Sequence, residues 1–161
     1  MEVLENLTYE DLNVGDSATY SRTLTEEELI LFAAVSGDVN PLHLDSEFAS
    51  QTIFKERIAH GMWSGALISA ALATVMPGPG TIYLEQTLKF RSPVKLQDVL
   101  LVRLTVKEKL PKGRVVFDCL VTNQAGEVVV EGESKVIAPN AKLVLERPTL
   151  PKIIIGGGDD D

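Results

Sequence analysis

The stretch from Gly61 to Met76 constrains this chain most, because it is apolar nearly all round, holds no Asp or Glu, and stops at Pro77-Gly78-Pro79-Gly80. A helix of that composition has to be buried on most sides. Small residues at Gly65, Ala66, Ser69, Ala70 and Ala73 let strands approach its axis closely. From Thr81 onward the apolar period changes to two. Ile82, Leu84, Leu88 and Phe90 alternate with Tyr83, Glu85, Thr87 and Lys89, while Leu100, Val102, Leu104 and Val106 make a second such face and Val115, Phe117, Cys119 and Val121 a third. Turns at Ser92-Pro93, Pro111-Lys112-Gly113 and Asn123-Gln124-Ala125-Gly126 divide this region into antiparallel strands near 81–91, 97–109, 114–122 and 127–137. An earlier strand is expected around Ser17 to Thr23. The economical packing is α+β, one antiparallel sheet wrapped around a long central helix.

A second helix is expected upstream. In Leu24-Thr25-Glu26-Glu27-Glu28-Leu29, Thr25 can cap, Glu28 completes a capping box and Leu24 can staple onto Leu29. Leu29, Phe32, Ala33 and Ser36 share one face, and Gly37 suits the C′ position. A looser segment follows His43 through Ile58. With 161 residues, 45% of them hydrophobic, the chain fits a single domain over 1–138, followed by a tail at 139–161 whose Gly156–Asp161 end reads as flexible or as a linker cut short.

The formal charge of −8 excludes a nucleic-acid binder, since no Lys/Arg stripe is present to track phosphates. A single cysteine, Cys119, excludes an intramolecular disulfide framework and is expected to pack as a small apolar residue. The N-terminus is acidic where a signal peptide is basic, and the weakly polar run from Met62 to Met76 is shorter than the roughly 18 residues that suggest a membrane span. These features point to a soluble, cytoplasmic protein.

The chemistry concentrates in Val35-Ser36-Gly37-Asp38-Val39-Asn40-Pro41-Leu42-His43. Pro41 fixes its own φ and pushes Asn40 into an extended conformation, so the backbone from Asp38 to His43 is expected to be restrained but not regular helix. A carboxylate and an imidazole held this way suit acid/base work. Asp38 alone also reads as a turn former, and His43 alone as a structural histidine. A metal site built from His43, Asp45 and His60 is the competing chemistry, but His-x-Asp fits no strong ligand motif. Ser36, Ser64 and Ser69 lack the setting of a nucleophile elbow. Gly61, at the N-terminus of the buried helix, offers a backbone N–H in the positive field of the helix dipole, or serves merely as a close-packing glycine.

At these residues the chain resembles a known family. Phe32-Ala33-Ala34-Val35-Ser36-Gly37-Asp38-Val39-Asn40-Pro41-Leu42-His43, with Ala49 beyond, is similar to the motif of the (R)-specific enoyl-CoA hydratases, also called hydratase 2 or MaoC-like proteins. Ala59-His60-Gly61-Met62, Ile82-Tyr83-Leu84 and Leu88-Lys89-Phe90-Arg91-Ser92-Pro93-Val94 match further family stretches, and the resemblance runs from about Leu12 to Ile137. It implies the hot-dog fold and reversible hydration of a trans-2-enoyl-CoA to the (R)-3-hydroxyacyl-CoA, while a homodimer or higher homo-oligomer is expected because one curved sheet leaves an edge and face best covered by a second subunit. No metal or other cofactor is implied. The family's catalytic aspartate and histidine fall on Asp38 and His43, its glycine donor to the thioester carbonyl on Gly61, a supporting serine on Ser69, and the motif asparagine on Asn40.

Met62 and Trp63 come next to the acyl channel in that reading. A tunnel-facing Trp63 excludes long acyl chains, whereas a core or interface tryptophan has no such effect. Lys89 and Arg91 share one strand face, where they can meet a CoA phosphate or simply face solvent. The rival readings are a hot-dog thioesterase or carrier-protein dehydratase and a non-catalytic acyl-CoA-binding module. Many of those enzymes use an acidic residue on the central helix, and Gly61 to Met76 has none.

Overall fold

The computed structural model describes residues 2–156. Its elements run β1 (Val3–Glu5), β2 (Ser17–Thr23), α1 (Glu26–Ser36), α2 (Pro41–Leu44), α3 (Ser46–Ser50) and α4 (Gly61–Thr74). They continue with β3 (Ile82–Gln86), β4 (Lys89–Phe90), β5 (Val99–Lys109), β6 (Arg114–Thr122), β7 (Val128–Ile137) and β8 (Val144–Glu146). The main sheet is antiparallel in the order β2-β5-β6-β7-β3, with β4 also paired to β7. α4 packs against β2 and β5 on its concave side, which is the hot-dog arrangement. None of the described helices is long and apolar enough to cross a membrane.

The core follows from the period-two faces. Leu100, Val102, Leu104 and Val106 on β5, with Val115, Phe117, Cys119 and Val121 on β6, are buried against Trp63, Leu67, Ile68, Ala71 and Leu72 of α4. Burial pushes the Cys119 thiol pKa up, and its Sγ lies 2.9 Å from Ser134 Oγ. Thr25 caps α1 as its sequence predicts, accepting the Glu28 N–H at 3.2 Å, and Gly37 ends the helix at φ 78°. Leu24 and Leu29 are both fully buried, as a staple requires. Ser36, which shares a face with Leu29, Phe32 and Ala33 by its spacing, is exposed and returns its hydroxyl to the Phe32 carbonyl at 2.6 Å.

Several expectations need correction or refinement. The segment holding His43 contains a helical turn, α2, because Pro41 occupies N1, where its missing N–H costs nothing. The looser stretch after it contains α3, capped by Asp45 Oδ1 on the Phe48 N–H at 3.0 Å. The strand expected at 81–91 is broken at Thr87, whose carbonyl lies so close over Gly132 that a Cβ there would sit 1.8 Å from it. The apolar face of that edge strand is open: Ile82, Leu84 and Phe90 are 55%, 41% and 53% exposed. α4 is likewise uncovered along one stripe, with Met62, Ala66 and Ala73 exposed and Ser69 half-buried.

Beyond Ile137 the chain turns back across the N-terminus. β8 pairs with β1, Asn6 donates from Nδ2 to the Pro79 and Ala141 carbonyls, and the Tyr9 N–H reaches the Pro139 carbonyl. The terminal residues 157–161, part of the end read as flexible, lie outside the described residues.

Candidate active site

α1, α2 and the start of α4 converge at one end of the sheet. Gly37 reverses the chain out of α1, so Asp38 starts a short loop tied by local bonds: its N–H points to Ser36 Oγ at 3.2 Å, and its Oδ1 accepts the Asn40 N–H at 3.2 Å. Asn40 caps α2 by accepting the Leu42 N–H at 3.0 Å. That turn swings His43 inward, where only 7% of it is exposed.

His43 is oriented by a carbonyl. Its Nδ1 lies 2.7 Å from the Ile58 oxygen, and a carbonyl only accepts, so Nδ1 carries the hydrogen. Nε2 of the neutral ring is then an acceptor. It faces Asp38 Oδ2 at 3.8 Å, across a gap too wide for a direct hydrogen bond. The Asp38 side chain is about half exposed in the single chain.

His60, the N-cap residue of α4, completes the cluster. Its ring stacks on His43 with centroids 3.7 Å apart and planes at 23°, and the Phe32 ring lies tilted to it with centroids 5.1 Å apart. Nε2 donates to the Asp38 backbone carbonyl at 2.9 Å, while the buried Nδ1 has no hydrogen-bond partner. The spacing of the sequence offered His60 only as a metal ligand. The signal that distinguishes it is a histidine placed immediately before the glycine that opens a buried helix.

Ligand atoms of Asp38, His43 and His60 lie within 4.8 Å of one another, whereas Asp45, named from the sequence as the third ligand, is occupied in capping α3. Stacking works against a shared ion. A metal lies near the plane of each imidazole that binds it, and two nearly parallel planes at this separation share no such point. One ring would have to turn away from its carbonyl.

Gly61 follows His60 at the first position of α4, where a backbone N–H has no partner within its own helix. A Cβ there would stand 3.0 Å from Phe90 Cε1, so the position is also sterically tight. Two cavities flank this helix mouth. One, of about 500 Å³, runs along the open stripe of α4 and is lined by Phe32, Met62, Gly65, Ser69, Leu84 and Leu88 among others. The other, about 310 Å³, lies beside His60, Gly61, Phe90 and Arg91. Trp63 is 5% exposed and lines neither; it borders a separate cavity of about 350 Å³ with Tyr20, Leu31 and Phe32. Arg91 is paired with Glu131 at 2.6 Å, and Lys89 is exposed.

Comparison with known proteins places this geometry in context. Residues 14–128 match the family described as the MaoC like domain. An (R)-specific enoyl-CoA hydratase of Rhodospirillum rubrum is 44% identical over 131 residues, covering 81% of this chain and 91% of that protein. A 3-hydroxybutyryl-CoA dehydratase of Methylorubrum extorquens is 40% identical over 84% of this chain and 87% of its own length. Among solved structures, the unliganded R-hydratase PhaJ1 from Pseudomonas aeruginosa superposes with a TM-score of 0.94 at 59% identity, covering 96% of this chain and all of that one. With the family match running from residue 14 to 128 and the Rhodospirillum relative aligned over four fifths of the sequence, the chain belongs to the MaoC-like domain family.

Proposed function

We propose that this protein is an (R)-specific enoyl-CoA hydratase, a hydro-lyase that adds water reversibly to trans-2-enoyl-CoA to give (R)-3-hydroxyacyl-CoA. The observation that carries the reading is the gap between two acceptors, His43 Nε2 and Asp38 Oδ2, 3.8 Å apart at the mouth of α4. A water that donates one hydrogen to each has its lone pairs left to attack. The named relatives, hydratases and dehydratases of acyl-CoA thioesters, support the same chemistry.

In this reading the water oxygen bonds to C3 of the enoyl group as one of its protons passes to the Asp38/His43 pair. Negative charge moves through C2 to the thioester oxygen, where the Gly61 N–H and the positive end of α4 receive it. A proton from the pair then reaches C2, so the atoms of one water are added across the double bond. No electrons are gained or lost, and the step calls for no redox cofactor. Which member of the pair carries which proton is a property of the coupled pair. Asn40 holds the loop, and Met62 and Ser69 line the groove for the acyl chain, with buried Trp63 supporting α4 from behind.

The open stripe of α4 and the exposed apolar edge formed by Ile82, Leu84 and Phe90 are proposed to be covered by a second copy of the chain. Residues 1–138 form the catalytic unit, and the cytoplasm is the proposed site of action.

The test is spectroscopic. Purified protein with EDTA and crotonyl-CoA should remove the enoyl absorbance, and Asp38→Asn and His43→Gln should each lower kcat by about 10²–10⁴-fold with circular dichroism unchanged. Full activity in both variants overturns the assignment of the pair. Acyl-CoA binding without turnover favours the binding module, and release of free CoA favours the thioesterase.

A further inference from the structure

We infer that His60 is a positioning residue that sets the separation of Asp38 and His43, acting as one arm of a bracket formed by residues 58–60. The inference rests on the hydratase reading above. It begins with how Asp38 is held. Its own bonds, from the N–H to Ser36 Oγ and from Oδ1 to the Asn40 N–H, each reach only two residues along the chain. Such bonds shape a loop but do not locate it on the scaffold. The hydrogen bond from His60 Nε2 to the Asp38 carbonyl, spanning 22 residues, is the contact that does.

His43 is held from the same short segment. Its Nδ1–H reaches the Ile58 carbonyl, two residues before His60. Ala59, between them, donates its N–H to the Val94 carbonyl at 2.8 Å, and Ile58 bridges to Lys95. Ile58 and His60 thus face the catalytic loop while Ala59 is fastened to the chain entering β5. One rigid tripeptide grips the backbone of Asp38 with one end and the ring of His43 with the other. Stacking of His60 on His43 adds a third restraint, on the tilt of the imidazole.

His60 has no free polar atom on the gap, although its Nε2 stands 4.0 Å from Asp38 Oδ2. Nε2 is committed to the Asp38 carbonyl, and Nδ1 is buried without a partner. Leaving a buried nitrogen without a partner is costly. An aromatic hydrocarbon would avoid that cost and keep the stack, so the tether is what a histidine adds at this position.

The experiment separates tether from stack. His60→Phe keeps a flat ring over His43 and loses the donor; His60→Gln keeps a donor of similar reach and loses the ring. On crotonyl-CoA, His60→Phe should lower kcat by about 30- to 100-fold, the scale of a misplacement of about 1 Å, with KM changed by no more than about threefold. His60→Gln should recover most of that loss. In an Asp38→Asn background, His60→Phe should cost little further, since it acts through a group already removed. Where His60→Phe does not fold, His60→Asn, one methylene too short to reach the carbonyl, carries the same expectation.

The inference is overturned if the donor-free variant keeps wild-type kcat, if His60→Gln is as impaired as His60→Phe, or if the loss compounds fully in the Asp38→Asn background. Failure of the wild-type protein to hydrate crotonyl-CoA would count against the hydratase reading instead.

Discussion

At Gly61 two properties of one residue can be pulled apart. Its N–H is the donor assigned to the thioester oxygen, and its missing Cβ makes room for Phe90. Proline is tolerated at the first position of a helix, and the His60 ψ of 135° is one a residue before proline adopts readily. Gly61→Pro should therefore keep α4 and delete the donor, lowering kcat by about 10²–10³-fold, whereas Gly61→Ala meets the same Phe90 ring and keeps the N–H. Comparing the two variants by steady-state kinetics isolates the donor; equal losses would place the defect in packing. Gly61, Asp38 and His43 are legible in the sequence as candidates because each stands at a chemically marked spot, at a helix start, after a helix-ending glycine, or close after a proline. The part proposed for His60 leaves no such local mark, because it depends on which carbonyl its ring meets 22 residues away.

Elements show the same divide between local and distant causes. α1 is legible from the Thr25 cap and Gly37, although the Glu28 carboxylate pairs with Arg22 instead of closing the box, and β5 and β6 are legible from alternation, since those signals lie within a few residues. α2 and α3 are each about one turn long and carry no period to detect. β1 and β8 are three residues each and find each other from opposite ends of the chain. The openness of β3 is likewise invisible to alternation, which tells which side chains share a face but not whether anything covers it. One ion pair links α1 to the bracket: Arg57 holds Glu26 from both guanidinium nitrogens, one of them at 2.9 Å from Oε1. The hydrogen bond from Arg57 lowers the Glu26 pKa. A carboxyl whose folded pKa is depressed contributes stability above its unfolded pKa and loses it as pH falls through the folded value. Glu26→Gln should thus destabilise the protein at pH 7, and the difference from wild type should fade below about pH 4. With the Glu26 side chain 47% exposed, screening limits the effect to about 1 kcal/mol or less. Denaturant titrations at both pH values measure it, and a pH-independent difference would point to packing rather than charge.

As a whole molecule the single chain is open and apolar on one side. The open stripe of α4 and the edge strand β3 meet along the 500 Å³ groove, so apolar surface and unpaired backbone coincide there. Exposed edges of this kind invite pairing. A symmetric dimer through this face would bury Ile82, Leu84 and Met62 and draw water away from the groove mouth. Leu84→Lys should shift the protein toward monomer in sedimentation or light scattering and reduce hydration, and a wild-type protein that is monomeric at micromolar concentration would refute the arrangement.

Cys119 carries a practical meaning of its own. It is the sole sulfhydryl of the chain, 3% exposed and kept protonated by its surroundings. The native surface consequently presents nothing for a thiol-reactive dye to label. In a reaction with an acyl-CoA, any colour such a dye develops comes from coenzyme freed by thioester cleavage, so hydrolysis can be read against a silent protein while the fading enoyl band is followed in the same cuvette.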